Sequence, residues 1–142
     1  FAASINGIDG IYSLGSLHPM QSDWESVLYD IKEKGLKGIK LHPEYQQFYI
    51  DSKESIQILK KCEELDLITV LHSGKDIGID PPVHCTPERL SFLTTLKATK
   101  SLPHIWAAGS YGTMSKNTLS AHLYISTQPL RLTLSQMNSF YA

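Results

Sequence analysis

Three histidines, His18, His42 and His72, each close a short apolar run, and Lys40 stands two residues before His42. A neutral imidazole at the end of a rigid strand can offer one nitrogen to a divalent metal, or can carry a proton in acid–base work. Alternation along a strand puts Lys40 and His42 on one face and Ile39 and Leu41 on the other. A lysine facing inward needs a counterpart. It can neutralise a substrate carboxylate, pair with an acid, or be modified to a carbamate that bridges metals, and the charge role is the favoured one. His72, followed by Ser73-Gly74, is the leading metal-ligand candidate, with Lys40 and His42 directed at the substrate. The residues expected to contact substrate are His18, Tyr45, Asp76 and His84. His18-Pro19 and His42-Pro43 also suit plain strand terminators whose imidazoles cap loop carbonyls, a reading that weighs more for His18 than for His42.

These residues need elements to place them. Residues 11–18 form a largely apolar run that Pro19 terminates, predicting a first strand. Ser22 and Asp23 offer caps, and Trp24, Val27, Leu28 and Ile31 recur at helical spacing until Lys34-Gly35 supplies a basic last turn and a C-cap. Gly38 to His42 predicts a second strand. A tyrosine-rich loop over 44–50 leads to Asp51 or Ser52 as the cap of a second helix carrying Ile56, Leu59 and Cys62. Residues 67–72 read as a third strand. A long loop over 73–86 precedes a third helix, which Thr86-Pro87-Glu88 begins. Residues 105–108 and 123–126 predict two further strands. His104 and His122 fall at strand beginnings, where no chemistry is expected. Strands alternating with amphipathic helices indicate parallel βαβ units, and the carboxyl edge of such a sheet is where loops converge on a site.

Composition narrows the function. The 142 residues are 42% hydrophobic and 19% charged, as in an ordinary globular domain. Thirteen basic against fourteen acidic residues give a net charge of -1, which leaves no footprint for nucleic acid or an anionic membrane and makes a small molecule the expected partner. Cys62 and Cys85 lack the spacing of a zinc knuckle or a disulfide framework, which suits a reducing, cytoplasmic setting. No apolar run approaches the roughly 20 residues of a membrane span. No glycine-rich phosphate loop follows any strand, which disfavours a nucleotide-binding doubly wound sheet.

The motif Gly38-Ile39-Lys40-Leu41-His42-Pro43 with Tyr45, Gln46 and Phe48, then Leu71-His72-Ser73-Gly74, Pro81-Pro82-Val83-His84 and Thr86-Pro87-Glu88-Arg89-Leu90 together resemble the amidohydrolase-related family. The resemblance runs from about residue 11 to residue 102. It implies an α/β fold, a partial (β/α)8 TIM barrel of roughly five βα units. Residues 1–142 would form a single domain, cut from a longer chain, without the first and last strands. Strand edges left open by such a cut would favour homo-oligomers. The resemblance also implies a divalent metal, zinc foremost, held in the family by an HxH pair, two further histidines and a late Asp, with His72 as the matching ligand. The implied reaction is hydrolysis of a C–N or C–O bond in a small molecule by a metal-activated water. The alternatives are decarboxylation, as in other members of the family, or a non-catalytic scaffold or interaction module. Where the family's strand reads Ala-Ala-His-Met-Gly-Gly, this chain has Ala107-Ala108-Gly109-Ser110-Tyr111-Gly112, so either a ligand histidine of the family pattern is lost or the region after Leu102 is altered relative to the family, and the second explains more.

Overall fold

Trp24, Leu28 and Ile31 line one side of α2 (Trp24–Glu33), and Leu28 and Ile31 are buried there. The helix stops where Gly35 takes a left-handed φ of 71°, a conformation glycine adopts without a Cβ penalty. The computed structural model describes residues 1–76, 78–95, 105–109 and 125–126. One short α-helix, α1 (Ala2–Ile5), and a 3-10 turn at Ile8–Gly10 lie ahead of α2. After it come β1 (Gly38–Leu41), the single-turn α3 (Pro43–Gln46), α4 (Lys53–Glu64), β2 (Ile68–Ser73), α5 (Pro87–Thr95), β3 (Ile105–Gly109) and β4 (Ile125–Ser126). Ser52 caps α4, its hydroxyl accepting the Ser55 N–H at 3.2 Å. The other cap candidate, Asp51, instead takes the Arg89 guanidinium through both carboxylate oxygens. No helix among the described residues is long and apolar enough to cross a membrane.

The strands lie parallel in the order β1-β2-β3-β4. Lys40 pairs with Val70, and Leu41 with Leu71. Cross-strand neighbours share a face, so Ile39, Leu41, Thr69 and Leu71, all buried, form one side of the sheet, while Lys40 and Val70 occupy the other. The buried cluster unites Ile39, Leu41 and Leu71 with Leu28 and Ile31 of α2 and Ile58, Leu59 and Cys62 of α4. Packing of α2 on α4, and of α4 on β2, completes a helical layer over the sheet.

This arrangement corrects the expectation of a partial barrel of five βα units. The described residues form five helices and a small parallel sheet that does not close into a barrel. The predicted first strand contributes only a bridge from Gly15 to Ile39, held by Gly15 N–H to Gly38 O at 2.9 Å and Lys40 N–H to Gly15 O at 2.8 Å. Ile11 and Tyr12 stay exposed, so that run lacks the sustained buried face that would extend a ladder. At the far end, the two described residues of β4, Ile125 and Ser126, pair with Ala107 and Ala108. The tyrosine-rich loop begins with the helical turn α3, which Pro43 at its first position favours. His104 and His122 lie outside the described residues.

At Gly38, β1 and β2 approach so closely that a Cβ there would overlap the Ile68 carbonyl oxygen and Cγ1. Backbone offers no cheap retreat. Gly38→Ala is therefore expected to lower unfolding free energy by about 2 kcal/mol, within the range for overpacked interiors, as measured by urea denaturation. Gly15→Ala meets only the flexible end of Ile31 and should cost less.

Candidate metal centre

The β1–β2 register carries one residue beyond Leu41↔Leu71 to His42 and His72, whose rings stack at 4.1 Å between centroids with 8° between their planes. Gly74, at φ 96°, turns the chain immediately after β2. That turn brings Asp76 back over the strand ends. Its Oδ2 lies 3.7 Å from His42 Nε2 and 3.8 Å from His72 Nε2. One ligand atom from each of the three residues falls within 4.8 Å of the others. A tetrahedral zinc with bonds near 2.1 Å needs ligand atoms roughly 3.4 Å apart, so modest side-chain rotation would close the three around one ion.

Nε2 of His72 is buried and has no hydrogen-bond partner among the described residues. An orphaned imidazole nitrogen in a protein interior costs free energy unless something satisfies it, and a divalent cation at this point would do so. Two imidazoles and a carboxylate are also the donor types that zinc takes in open catalytic sites. The residues present therefore fit a metal.

Electrostatics keep the imidazoles in their ligating form. Burial pushes His42 below the ordinary imidazole range, reinforced by His72 and Lys40, with Asp76 opposing. His72 is lowered by burial and then by Lys40, against Asp76 and Glu44. Lys40 is itself lowered by burial. It is half-buried on the His42 side of β1, and among the described residues no carboxylate forms an ion pair with it. Tyr45, largely exposed, packs edge-on against the His42 ring at 4.3 Å, and its backbone N–H approaches His42 Nδ1 at 3.4 Å. Ligation through Nε2 would put the proton on Nδ1, so this long contact would have to open.

The other two histidines expected at the substrate are engaged elsewhere. His18 takes the Met20 N–H on Nδ1 at 3.1 Å and meets the Gln46 carbonyl through Nε2 at 2.7 Å, the carbonyl-capping arrangement. Gln46 completes the knot: its Oε1 accepts from His42 N and its Nε2 donates to Leu17 O, both at 2.7 Å. His84 is buried, its Nδ1 lying 2.8 Å from Glu44 Oε2 and its ring packed on Tyr49. Glu44, which no motif singles out, is 2% exposed and also accepts the His84 and Cys85 backbone N–H groups. Its signal in sequence is only an acidic residue straight after a His-Pro strand end. Cys85 is fully buried and its thiol is pushed up to about 12, Cys62 to about 11, in both cases chiefly by burial. Neither is a thiolate nucleophile at neutral pH.

Searches of protein-family models, of curated proteins and of solved structures give no match to this chain. The geometry at the ends of β1 and β2 is thus the main ground for a functional reading.

The lowered imidazoles set a pH dependence. Unfolded histidine titrates near 6.5, and folded His42 and His72 titrate lower, so on acidification the unfolded chain takes up protons first. Stability from these groups is complete above 6.5 and is lost as pH falls from there through the folded values. Urea midpoints of the metal-free chain should decline below pH 6.5, and His72→Gln should make that decline shallower.

Proposed function

We propose that this chain binds a divalent metal, zinc foremost, through His42, His72 and Asp76, and serves metal-dependent hydrolysis of a C–N or C–O bond in a small molecule. The buried Nε2 of His72, unpartnered among the described residues and beside the Asp76 carboxylate, carries this reading. Bound there, the ion would supply Lewis acidity and a water of lowered pKa. The protein's own groups do the rest. His42 and His72 stay neutral and so available as ligands. Lys40, on the same face one pleat before His42, neutralises an anionic group on the substrate. Tyr45 shields the His42 edge from solvent. The motif resemblance to the amidohydrolase-related family supports hydrolysis, and a lysine without a carboxylate partner among the described residues supports an acid substrate, on which the same centre would serve decarboxylation. A balanced net charge and two free, buried cysteines support a cytoplasmic setting with a small-molecule partner.

Gly109 favours a second reading, since it stands where the family carries a further ligand histidine. On that reading the chain is a non-catalytic scaffold or interaction module. Metal content separates the two. After equilibrium dialysis against micromolar zinc, elemental analysis should find close to one ion per chain. His72→Ala and Asp76→Asn should each weaken binding by about tenfold or more. A wild-type chain that retains no zinc would overturn the metal reading and leave the scaffold.

Lys40→Met separates the lysine's role from the ligands'. Removing a neighbouring cation should tighten zinc binding, because like charges oppose each other at short range. The same change should weaken the affinity of the zinc-loaded chain for acetate by about tenfold, the size expected for losing a charge-assisted contact. Isothermal titration with zinc, and then with acetate, reads both effects.

A further inference from the structure

The loop over 74–86 carries Asp76, and it is anchored at two places. Its neck closes where Gly74 N–H donates to Cys85 O at 2.9 Å and the Ser73 hydroxyl donates to the same carbonyl at 3.2 Å. Its returning arm is gripped by Glu44 of α3. Glu44 Oε1 accepts the His84 N–H at 2.7 Å and the Cys85 N–H at 3.3 Å, while Oε2 meets His84 Nδ1 at 2.8 Å. The carboxylate is 2% exposed, and a buried charge held by three donors is costly to disturb. Glu44 lies two residues beyond His42, so a single turn of helix ties the His42 strand end to the Asp76 loop. Backbone hydrogen bonding adds a further tie, from Ile50 N–H to His84 O at 3.2 Å. Within the rising arm, Asp76 Oδ1 accepts the Gly78 N–H at 3.3 Å.

We infer that Glu44 is a positioning residue for the metal centre: its buried grip on His84 and Cys85 holds the 74–86 loop down so that Asp76 reaches the His42–His72 pair. This inference rests on the metal-binding reading above. It assigns Glu44 no contact with the metal or the substrate. A ligand on a loop has many arrangements available, and fixing the loop removes that entropy before the ion binds. Outer residues that orient ligands commonly change metal affinity by roughly ten- to a hundredfold.

The test is a double-mutant cycle read by cobalt titration, following the visible absorption of the bound ion, on wild type, Glu44→Gln, Asp76→Asn and the double variant. Glu44→Gln should weaken cobalt binding by about tenfold in the wild-type background and by less than about twofold once Asp76 is Asn, since the two act through one ligand. In the metal-free chain, Glu44→Gln should also speed hydrogen exchange at the Gly78 amide, which reports on the Asp76 arm. Equal weakening in both backgrounds, or unchanged cobalt affinity with unchanged Gly78 exchange, would overturn the positioning role. If Glu44→Gln does not fold, His84→Gln removes the ring partner while sparing the backbone contacts, and the same cycle applies, with the same results supporting or overturning the role. A wild-type chain that binds no cobalt sinks the metal reading, and this inference with it. Cobalt binding with an additive cycle sinks this inference alone.

Discussion

Parallel pairing of β1 with β2, in the register that sets Leu41 beside Leu71, is the constraint on which the rest depends. Strand side chains alternate, so a slip of one residue would turn Ile39 and Leu41 outward and take Lys40 and His42 into the helical layer. Burial of Ile39, Leu41 and Leu71 against α2 and α4 therefore fixes more than the core. It also decides that His42 and His72 emerge side by side at the carboxyl edge. Gly38 permits the pairing, since any larger residue would strike Ile68 where the ladder begins.

From that register the site assembles through two short connections. Pro43 starts a single helical turn directly after β1, and that turn delivers Gln46 and Glu44 in different directions. Gln46 reaches back to Leu17, and its carbonyl meets His18, which seats the 11–18 run beside β1. Glu44 reaches forward to His84 and Cys85, which seats the loop after β2. The Glu44 tie is buried and the Gln46 tie partly so, and a buried hydrogen bond is expensive to leave unmade. The packing of Arg89 against Tyr49, together with its pairing to Asp51, fastens the start of α5 to the same corner. The loop after β2 is thus tied at its neck and along its returning arm.

The chemistry of the corner follows from its charge balance. Two neutral imidazoles, one carboxylate and one half-buried ammonium sum to zero. A divalent ion would raise that sum to two positive charges within a few side chains, and an anion at the same place would lower it again. Among the described residues, the open nitrogen of His72 and the Lys40 ammonium, which has no carboxylate partner, leave two polar groups side by side at the same corner.

Much of this was legible in the sequence, because it depends on near neighbours. The Trp24–Glu33 helix with its glycine stop, the Ser52 cap, the Thr86-Pro87 start and the strands around Ile39 and Leu71 all follow from spacing and local backbone preference. So does the placing of His42 and His72 at strand ends, with Lys40 on the His42 face. What the sequence left open involves partners distant along the chain. Residues 11–18 looked as apolar as a strand, yet they form only a bridge at Gly15, because Ile11 and Tyr12 stay exposed and the run lacks the sustained buried face that a ladder needs. His18 and His42 carry the same His-Pro signature. Tertiary contacts separate them, closing both nitrogens of one with backbone groups and setting the other against His72 and Asp76. Glu44 gave no sign of its role, since a glutamate reads as a surface residue until the fold brings His84 and Cys85, forty positions onward, to its carboxylate. Residue types determine which groups can bond, and the three-dimensional path of the chain decides which of them meet.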